Sequence, residues 1–106
     1  MNAFPIKLIY TIESNEPGSV QTGVGAPSRT FRKAVARNRV KRLLREGFRL
    51  ERPEFVASSA SALNKVRINL FFLYTDAIVI SQKEIQEKIK QLLSRLSEKI
   101  NSTSPS

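Results

Sequence analysis

Hydrophobic and polar residues alternate from the first residues of the chain. In "FPIKLIYTI" (Phe4 to Ile12), Ile6, Leu8, Tyr10 and Ile12 fall on one face, with Lys7 and Thr11 on the other. That is the period of a strand. Turn residues then cluster in "ESNEPGS", including Pro17 and Gly18. Alternation resumes in "VQTGVGA", with Val20, Thr22, Val24 and Ala26 on one side. The spacing predicts two antiparallel strands joined by a loop, with Pro27 ending the second.

From Phe31 to about Leu50 the period changes to that of a helix. "ERPEFVASSASALNKV" follows, carrying Pro53 and a Ser/Ala-rich tract, and predicts a loop with at most a frayed turn. "RINLFFLYT" (Arg67 to Thr75) is an apolar run that predicts a buried strand, with Phe71 and Phe72 both in the core. "SQKE" (Ser81 to Glu84) fits a capping box. It opens a helix whose Ile85, Ile89, Leu92, Leu93, Leu96 and Ile100 share one stripe. Residues 101–106, "NSTSPS", are expected to form a disordered tail. Strand, strand, helix, strand, helix predicts one α+β domain over residues 1–100, a two-layer sandwich of helices on a small sheet.

Composition sharpens this picture. There is no Cys and no His in the 106 residues, which removes thiolate and imidazole metal sites, Ser-His-Asp triads and the usual general base near neutral pH. No apolar run approaches the length of a membrane span, and Lys7 interrupts the one apolar stretch near the start. A soluble, cytoplasmic protein with no membrane partner is expected. The net charge is +9, which calls for a polyanionic partner.

That charge is local. Residues 29–52 hold ten bases and two acids, so +8 of the +9 lies in this segment. On a helical projection Ala36, Val40, Leu43, Leu44 and Gly47 cluster on one side. Asn38, Arg42, Arg45 and Arg49 lie nearly opposite, and Arg39 and Lys41 flank them. Arg37 falls at the edge of the apolar face, where its stem can be covered. A disordered basic tail needs no apolar stripe. A merely solvated face mixes signs, because like charges at i,i+4 repel by a few tenths of a kcal/mol. Arg outnumbers Lys eight to two in the segment, and guanidinium forks suit phosphate oxygens. The pattern points to a docked helix that presents cations to RNA or DNA.

Other motifs weigh less. "GVGAPS" (Gly23 to Ser28) lacks the ending of a P-loop and the spacing of a dinucleotide fingerprint, and reads as a glycine-containing strand. Tyr10 and Phe4 could stack on bases, or serve equally well as ordinary strand aromatics. Glu84 and Glu87, near Lys88 and Lys90, fit ion pairs on a wet helix face rather than a catalytic carboxylate pair.

"KAVARNRVKRLLREGF" (Lys33 to Phe48) resembles the signature segment of the bacterial ribonuclease P protein component, with Arg37-Asn38-Arg39 and Lys41-Arg42 as its specific core. "GAPSRTF" resembles the family's strand end and basic loop. The first strand and the last helix resemble their counterparts. The resemblance implies an RNA-binding subunit that assists a catalytic RNA in removing the 5′ leader of precursor tRNA. The chemistry would then lie in the RNA with Mg²⁺, and no cofactor would be bound by the protein alone. It implies RNA contacts at Arg29, Lys33, Arg37, Asn38, Arg39, Lys41, Arg42, Arg45 and Arg49. A sheet cleft near Tyr10 and Phe4 would take the leader. It also implies a left-handed βαβ crossover, against the strong right-handed preference. Family members carry a helix ahead of the first matching strand, where this sequence has only Met1-Asn2-Ala3. Either the start is assigned too late or the cleft is incomplete, and extra exposed surface around Tyr10 is expected on that account.

Three rivals remain. Another RNA-binding module, such as a ribosomal protein, would use the same helix. A DNA-binding regulator would need a helix-turn-helix pair and usually a dimer interface. A protein-only nuclease would need clustered carboxylates for metal ions, and the nine acids here are dispersed.

Overall fold

A computed structural model describes residues 1–14 and 18–103. Its strands are β1 (Asn2–Ala3), β2 (Ile6–Ser14), β3 (Ser19–Gly25) and β4 (Val66–Tyr74). Its helices are α1 (Ala34–Ser58), the single turn α2 (Ala60–Leu63) and α3 (Gln82–Thr103). The strands form one sheet in the order β1-β2-β4-β3. β4 runs antiparallel to β2 and parallel to β3, so the sheet is mixed.

Alternation fixes which face of the sheet is covered. Ile6 and Leu8 of β2 and Ile68, Leu70, Phe72 and Tyr74 of β4 are buried on the same side. α1 closes over them with Val40, Leu44, Phe48 and Phe55, and α3 with its whole stripe from Ile85 to Ile100. Phe48 meets Phe72 with ring centroids 5.7 Å apart, and Phe31 meets Tyr74 at 5.8 Å. Each of these aromatic pairs adds about 1 kcal/mol beyond the area it buries. Both long helices lie on this one face, and the architecture is the two-layer α+β sandwich the sequence predicts.

The predicted β2–β3 hairpin does not form. The two strands do run in opposite directions, but β4 lies between them and pairs with both. β4 buries Ile68, Leu70, Phe72 and Tyr74 on one face and carries Phe71 and Leu73 on the other, and the central position covers it on both edges. Ser14 lies beside Val66 and Ser19 beside Arg67. Two strand spacings span roughly 9.6 Å, well within the reach of five Cα steps. A short connection therefore permits insertion as readily as a hairpin. The rest of the predicted turn, residues 15–17, lies outside the described residues.

The first strand also begins later than its pattern suggests. Phe4 and Pro5 occupy a turn between β1 and β2, and the peptide between them is cis. Phe71 departs from its expected place as well. It sits on β4 but points away from the helices, and it is 40% exposed while Phe72 is fully buried. Period-two geometry forbids both neighbours from entering one core.

α1 runs past its predicted end at Leu50, straight through Pro53, to Ser58. A proline inside a helix costs about 3 kcal/mol. Burial beyond it offsets that cost. Phe55 is seven residues from Phe48 on the same stripe and is 3% exposed. The buried hydroxyls of Ser59 and Ser97 meet at 2.8 Å, and Ser58 meets Ser97 at 3.0 Å. The Ser-rich tract is thus a helix end sewn to α3. Gly47 allows the close approach of the two helices, since a Cβ there would lie 2.7 Å from Ile89 Cδ1.

Ser81 caps α3 as expected, its Oγ accepting from the Glu84 N–H at 3.2 Å. The Glu84 carboxylate meets the Ser81 hydroxyl, also at 3.2 Å, rather than the backbone amide of a full capping box. α3 extends three residues into the expected tail. Asn101 donates from Nδ2 to the Ser58 carbonyl at 3.1 Å. Residues 104–106 lie outside the described residues.

Candidate nucleic-acid interface

The basic segment begins as a loop and becomes a helix. Phe31, 5% exposed, anchors the loop in the core. The loop is pinned by Arg37, whose guanidinium donates to the Phe31 carbonyl at 2.8 Å and the Arg32 carbonyl at 3.0 Å. Arg37 is half-buried, in keeping with its place at the edge of the apolar face. Its two backbone contacts show that it also shapes the loop that carries Arg29, Arg32 and Lys33. Those three cations are exposed.

Lys33 stands at the N-cap with extended backbone and no side-chain cap, and the first turn of α1 holds no acid. Opening amides and the positive end of the helix dipole attract anions. Cationic side chains around such an end reinforce that field instead of cancelling it.

Along α1, Val40 and Leu44 are fully buried, and Ala36 and Leu43 are half-buried at the margin. Asn38, Arg39, Arg42, Arg45 and Arg49 are exposed, and Lys41 is half-buried. The apolar and cationic faces fall where the helical projection puts them. Leu44 and Arg42 are two positions apart, on opposite sides of one cylinder.

Arg49 departs from an otherwise uncompensated stripe. Its Nε donates to Glu46 Oε2 at 3.0 Å, and its Nη2 donates to Glu46 Oε1, a two-pronged pair one turn apart. The hydrogen bond and the adjacent charge hold the Glu46 carboxyl below the usual carboxylate range and push the Arg49 guanidinium higher. The sequence places Glu46 beside this stripe, but only the side-chain geometry shows which arginine it takes. Among the described residues no carboxylate pairs with Arg39, Lys41, Arg42 or Arg45. The strongest unneutralised charge is therefore the middle of α1. Arg32, outside the predicted contact set, joins the patch from the loop. Its only sequence signal was membership in the basic window.

Tyr10 and Phe4 are not brought together. Tyr10 is half-buried on the helix side of β2, with Lys99 Nζ of α3 over its ring at 5.5 Å from the centroid. Phe4 is 69% exposed in the turn before β2. Four residue steps already separate Tyr10 from Ile6, about 13 Å at the usual rise. Ile12, next on the Tyr10 face, is 41% exposed.

Among the described residues no three carboxylates stand close enough to hold a metal ion. Nor is any helix of the described chain long and apolar enough to cross a membrane. No curated protein and no solved structure shows significant similarity to the chain. A family model described as Ribonuclease P matches residues 3–100, which takes in every strand from Ala3 onward, all of α1 and nearly all of α3. With a mixed sheet, a cationic helix docked by its apolar stripe and a match across almost the whole domain, the chain belongs to the ribonuclease P family, as the protein subunit of a tRNA-processing ribonucleoprotein.

Proposed function

We propose that this protein holds the RNA of ribonuclease P on the outward face of α1 and leaves bond cleavage to that RNA. The observation that carries this reading is the run Arg39, Lys41, Arg42 and Arg45, which no carboxylate among the described residues neutralises. Asn38 lies among them and can add hydrogen bonds to sugar or base. Arg29 and Lys33 extend the patch around the start of the helix. Arg37 and Arg49 contribute field more than free forks, since each already has an intramolecular partner. Neutralising several phosphates would release their counterions and make binding steeply salt-dependent.

The protein's own side chains do not suit metal-assisted hydrolysis. It has no imidazole, and its described carboxylates do not converge. Mg²⁺ would accordingly be held by RNA phosphates in the assembled particle, where it stabilises charge on the transferring phosphate. The Tyr10 side of β2 is our candidate for the leader of precursor tRNA. There a half-buried ring and the Lys99 ammonium would offer a stacking surface and a cation. Phe4 lies too far along the strand to share one nucleotide with Tyr10.

Precursor-tRNA cleavage by the RNA subunit, with and without the protein, tests this at low Mg²⁺. Stimulation by the protein and no cleavage by the protein alone are expected. Nuclease activity of highly purified protein, lost on changing a carboxylate, would overturn the division of labour.

A further inference from the structure

The sheet ends differently at its two edges. β1, at one edge, is two residues long. Arg95 of α3 reaches across to its Asn2 carbonyl at 2.8 Å. β3, at the other edge, is seven residues long. It keeps an unbroken register with β4 over that whole length, so no bulge turns it aside. Its sequence, SVQTGVG, holds no charge and no proline. Alternate N–H and C=O groups of an edge strand point outward and can pair with another strand, and natural sheets guard long edges with shortness, charge, proline or bulges. β3 has none of these guards. Among the described residues no strand pairs with its outer side.

Side chains leave this edge open to close approach. The Phe71 ring leans over β3 from the middle strand. A Cβ at Gly23 would lie 3.0 Å from Phe71 Cδ2, and one at Gly25 would lie 2.7 Å from Cζ. On the helix side Val20 and Val24 pack against the core, and Thr22 between them is exposed. α1 adds charge above the edge. Gly47 faces Ile89, and Glu51 accepts from Gln86 at 2.9 Å, so these two mark the flank of α1 that meets α3. Lys41, Arg45 and Arg52 project from the other flank. α3 lies over β1 and β2, whereas α1 lies against β3, so those three cations overhang the outer edge. Arg45 and Arg52 are exposed and Lys41 is half-buried. No carboxylate among the described residues pairs with them. From Lys41 to Arg52 the helix rises about 16 Å, close to the roughly 20 Å length of β3.

We propose that the outer edge of β3 takes an extended acidic segment of a partner protein as an added strand, with its carboxylates beneath Lys41, Arg45 and Arg52. Backbone pairing supplies the affinity, and alternate side chains supply the selectivity. A second copy of this chain fits less well. Two β3 edges joined about a two-fold axis would set two α1 helices side by side on one face, each from a segment of net charge +8. RNA fits less well too, because it has no peptide groups at strand spacing to meet the edge. The site shares Lys41 and Arg45 with the cationic stripe, but it does not rest on α1 holding RNA.

The test uses the full chain and a labelled octapeptide that alternates Glu and Thr. Its binding, followed by fluorescence anisotropy, should slow amide exchange at alternate residues of Ser19–Gly25 in NMR spectra. Strand pairing uses one edge of the peptide. N-methylating all the Glu amides and N-methylating all the Thr amides should therefore have different effects. One set should weaken binding by about 10-fold or more, at about 5-fold for each lost backbone hydrogen bond, and the other should bind as the unmodified peptide does. Lys in place of Glu should abolish binding. R52E should weaken it by about 2- to 10-fold, the scale of an exposed ion pair exchanged for a like-charge contact. The proposal is overturned if the Glu peptide does not bind, if both N-methyl sets behave alike, if exchange along β3 is unchanged, or if the Lys peptide binds as tightly. Protection of β3 by self-association of the free protein, or by an oligouridine, would give the edge to a second copy or to RNA and overturn it as well. Should R52E not unfold cooperatively, the peptide variants decide alone on the unaltered protein. Failure of α1 to bind the catalytic RNA would leave these peptide results standing, so the two readings fail separately.

Discussion

Arg42 and Arg45 carry their charge with no described carboxylate paired to them, and both are exposed, nearly opposite the apolar stripe to which Leu44 belongs. Their removal should therefore separate binding from folding. Changing both to Ala is expected to weaken binding to the ribonuclease P RNA. It should also flatten the slope of log affinity against log salt by about 0.7–0.9 for each phosphate that is no longer neutralised. Cooperative unfolding should persist. Leu44→Ala should do the reverse, costing about 2–5 kcal/mol of stability because that side chain is fully buried. Urea denaturation and a salt titration of RNA binding check the two variants side by side. A double mutant that unfolds, or that keeps its salt slope, would remove these arginines from the interface.

Tyr74 makes a prediction in pH. Its hydroxyl donates to the Ile78 carbonyl at 2.6 Å and accepts from the Ile80 N–H at 3.0 Å, tying the loop after β4 to the core. Burial is the main cause that pushes its phenol above the ordinary tyrosine range. The unfolded chain then loses this proton first. The stability tied to the protonated phenol is whole below the unfolded value near about 10 and drains as pH rises through the higher folded one. Y74F cannot ionise, so its stability should fall less steeply above pH 10. At neutral pH it should be about 1 kcal/mol less stable, for the two missing hydrogen bonds. Parallel alkaline denaturation curves for the two proteins would sink the assignment.

At the scale of elements, Pro53 and Gly47 describe how α1 meets α3. Pro53 is exposed inside the helix, so its cost arises from the missing backbone bond and ring crowding rather than from any packing. P53A should stabilise the protein by about 1–3 kcal/mol, with the same fold, as read by urea denaturation. Gly47 faces the tip of Ile89, a flexible end. G47A should be nearly neutral, because the gain in helix propensity offsets the shift of that tip. G47L should cost about 1–3 kcal/mol by overpacking. The stripes of α1 and α3 and the cationic face were legible in the sequence because a helix repeats one rule over many turns. The helix end was not, because Pro53 and the Ser-rich tract are local stop signals. Phe55, Ser58 and Ser59 override them only through contacts with α3. Strand order was hidden for a similar reason. Alternation tells a strand which face to bury, and β4 and the first half of β2 follow it, yet nothing in the patterns says which two strands become neighbours. Phe71 was misplaced by reading an apolar run as uniformly buried. The glycines at 23 and 25 were its only visible counterpart, and their meaning depends on a parallel register that only the structure supplies.

At the scale of the whole molecule, charge and core are segregated into layers. The sandwich buries its apolar stripes between sheet and helices, and α1 then carries its cations on the outermost surface. Neighbours such as Arg37 and Lys41, Arg39 and Arg42, Lys41 and Arg45, and Arg42 and Arg45 are spaced three or four residues apart. Each such like-charge pair costs a few tenths of a kcal/mol in the free protein, about 1 kcal/mol together. The Glu46–Arg49 pair returns little, because both side chains are exposed. Salt should therefore act with opposite signs on two properties of one surface. Raising KCl from about 50 to about 500 mM shortens the screening length and relieves the repulsion. The free protein should melt about 4–8 °C higher, the shift that 1 kcal/mol gives a domain of this size. Over the same range its affinity for RNA should fall steeply as the counterion advantage disappears. The Arg42/Arg45 double alanine variant should show less of both effects. A melting temperature that is flat or falling with salt, beside steeply salt-dependent binding, would mean that the free helix is already compensated. The strain in its cationic face would then not be what the RNA relieves.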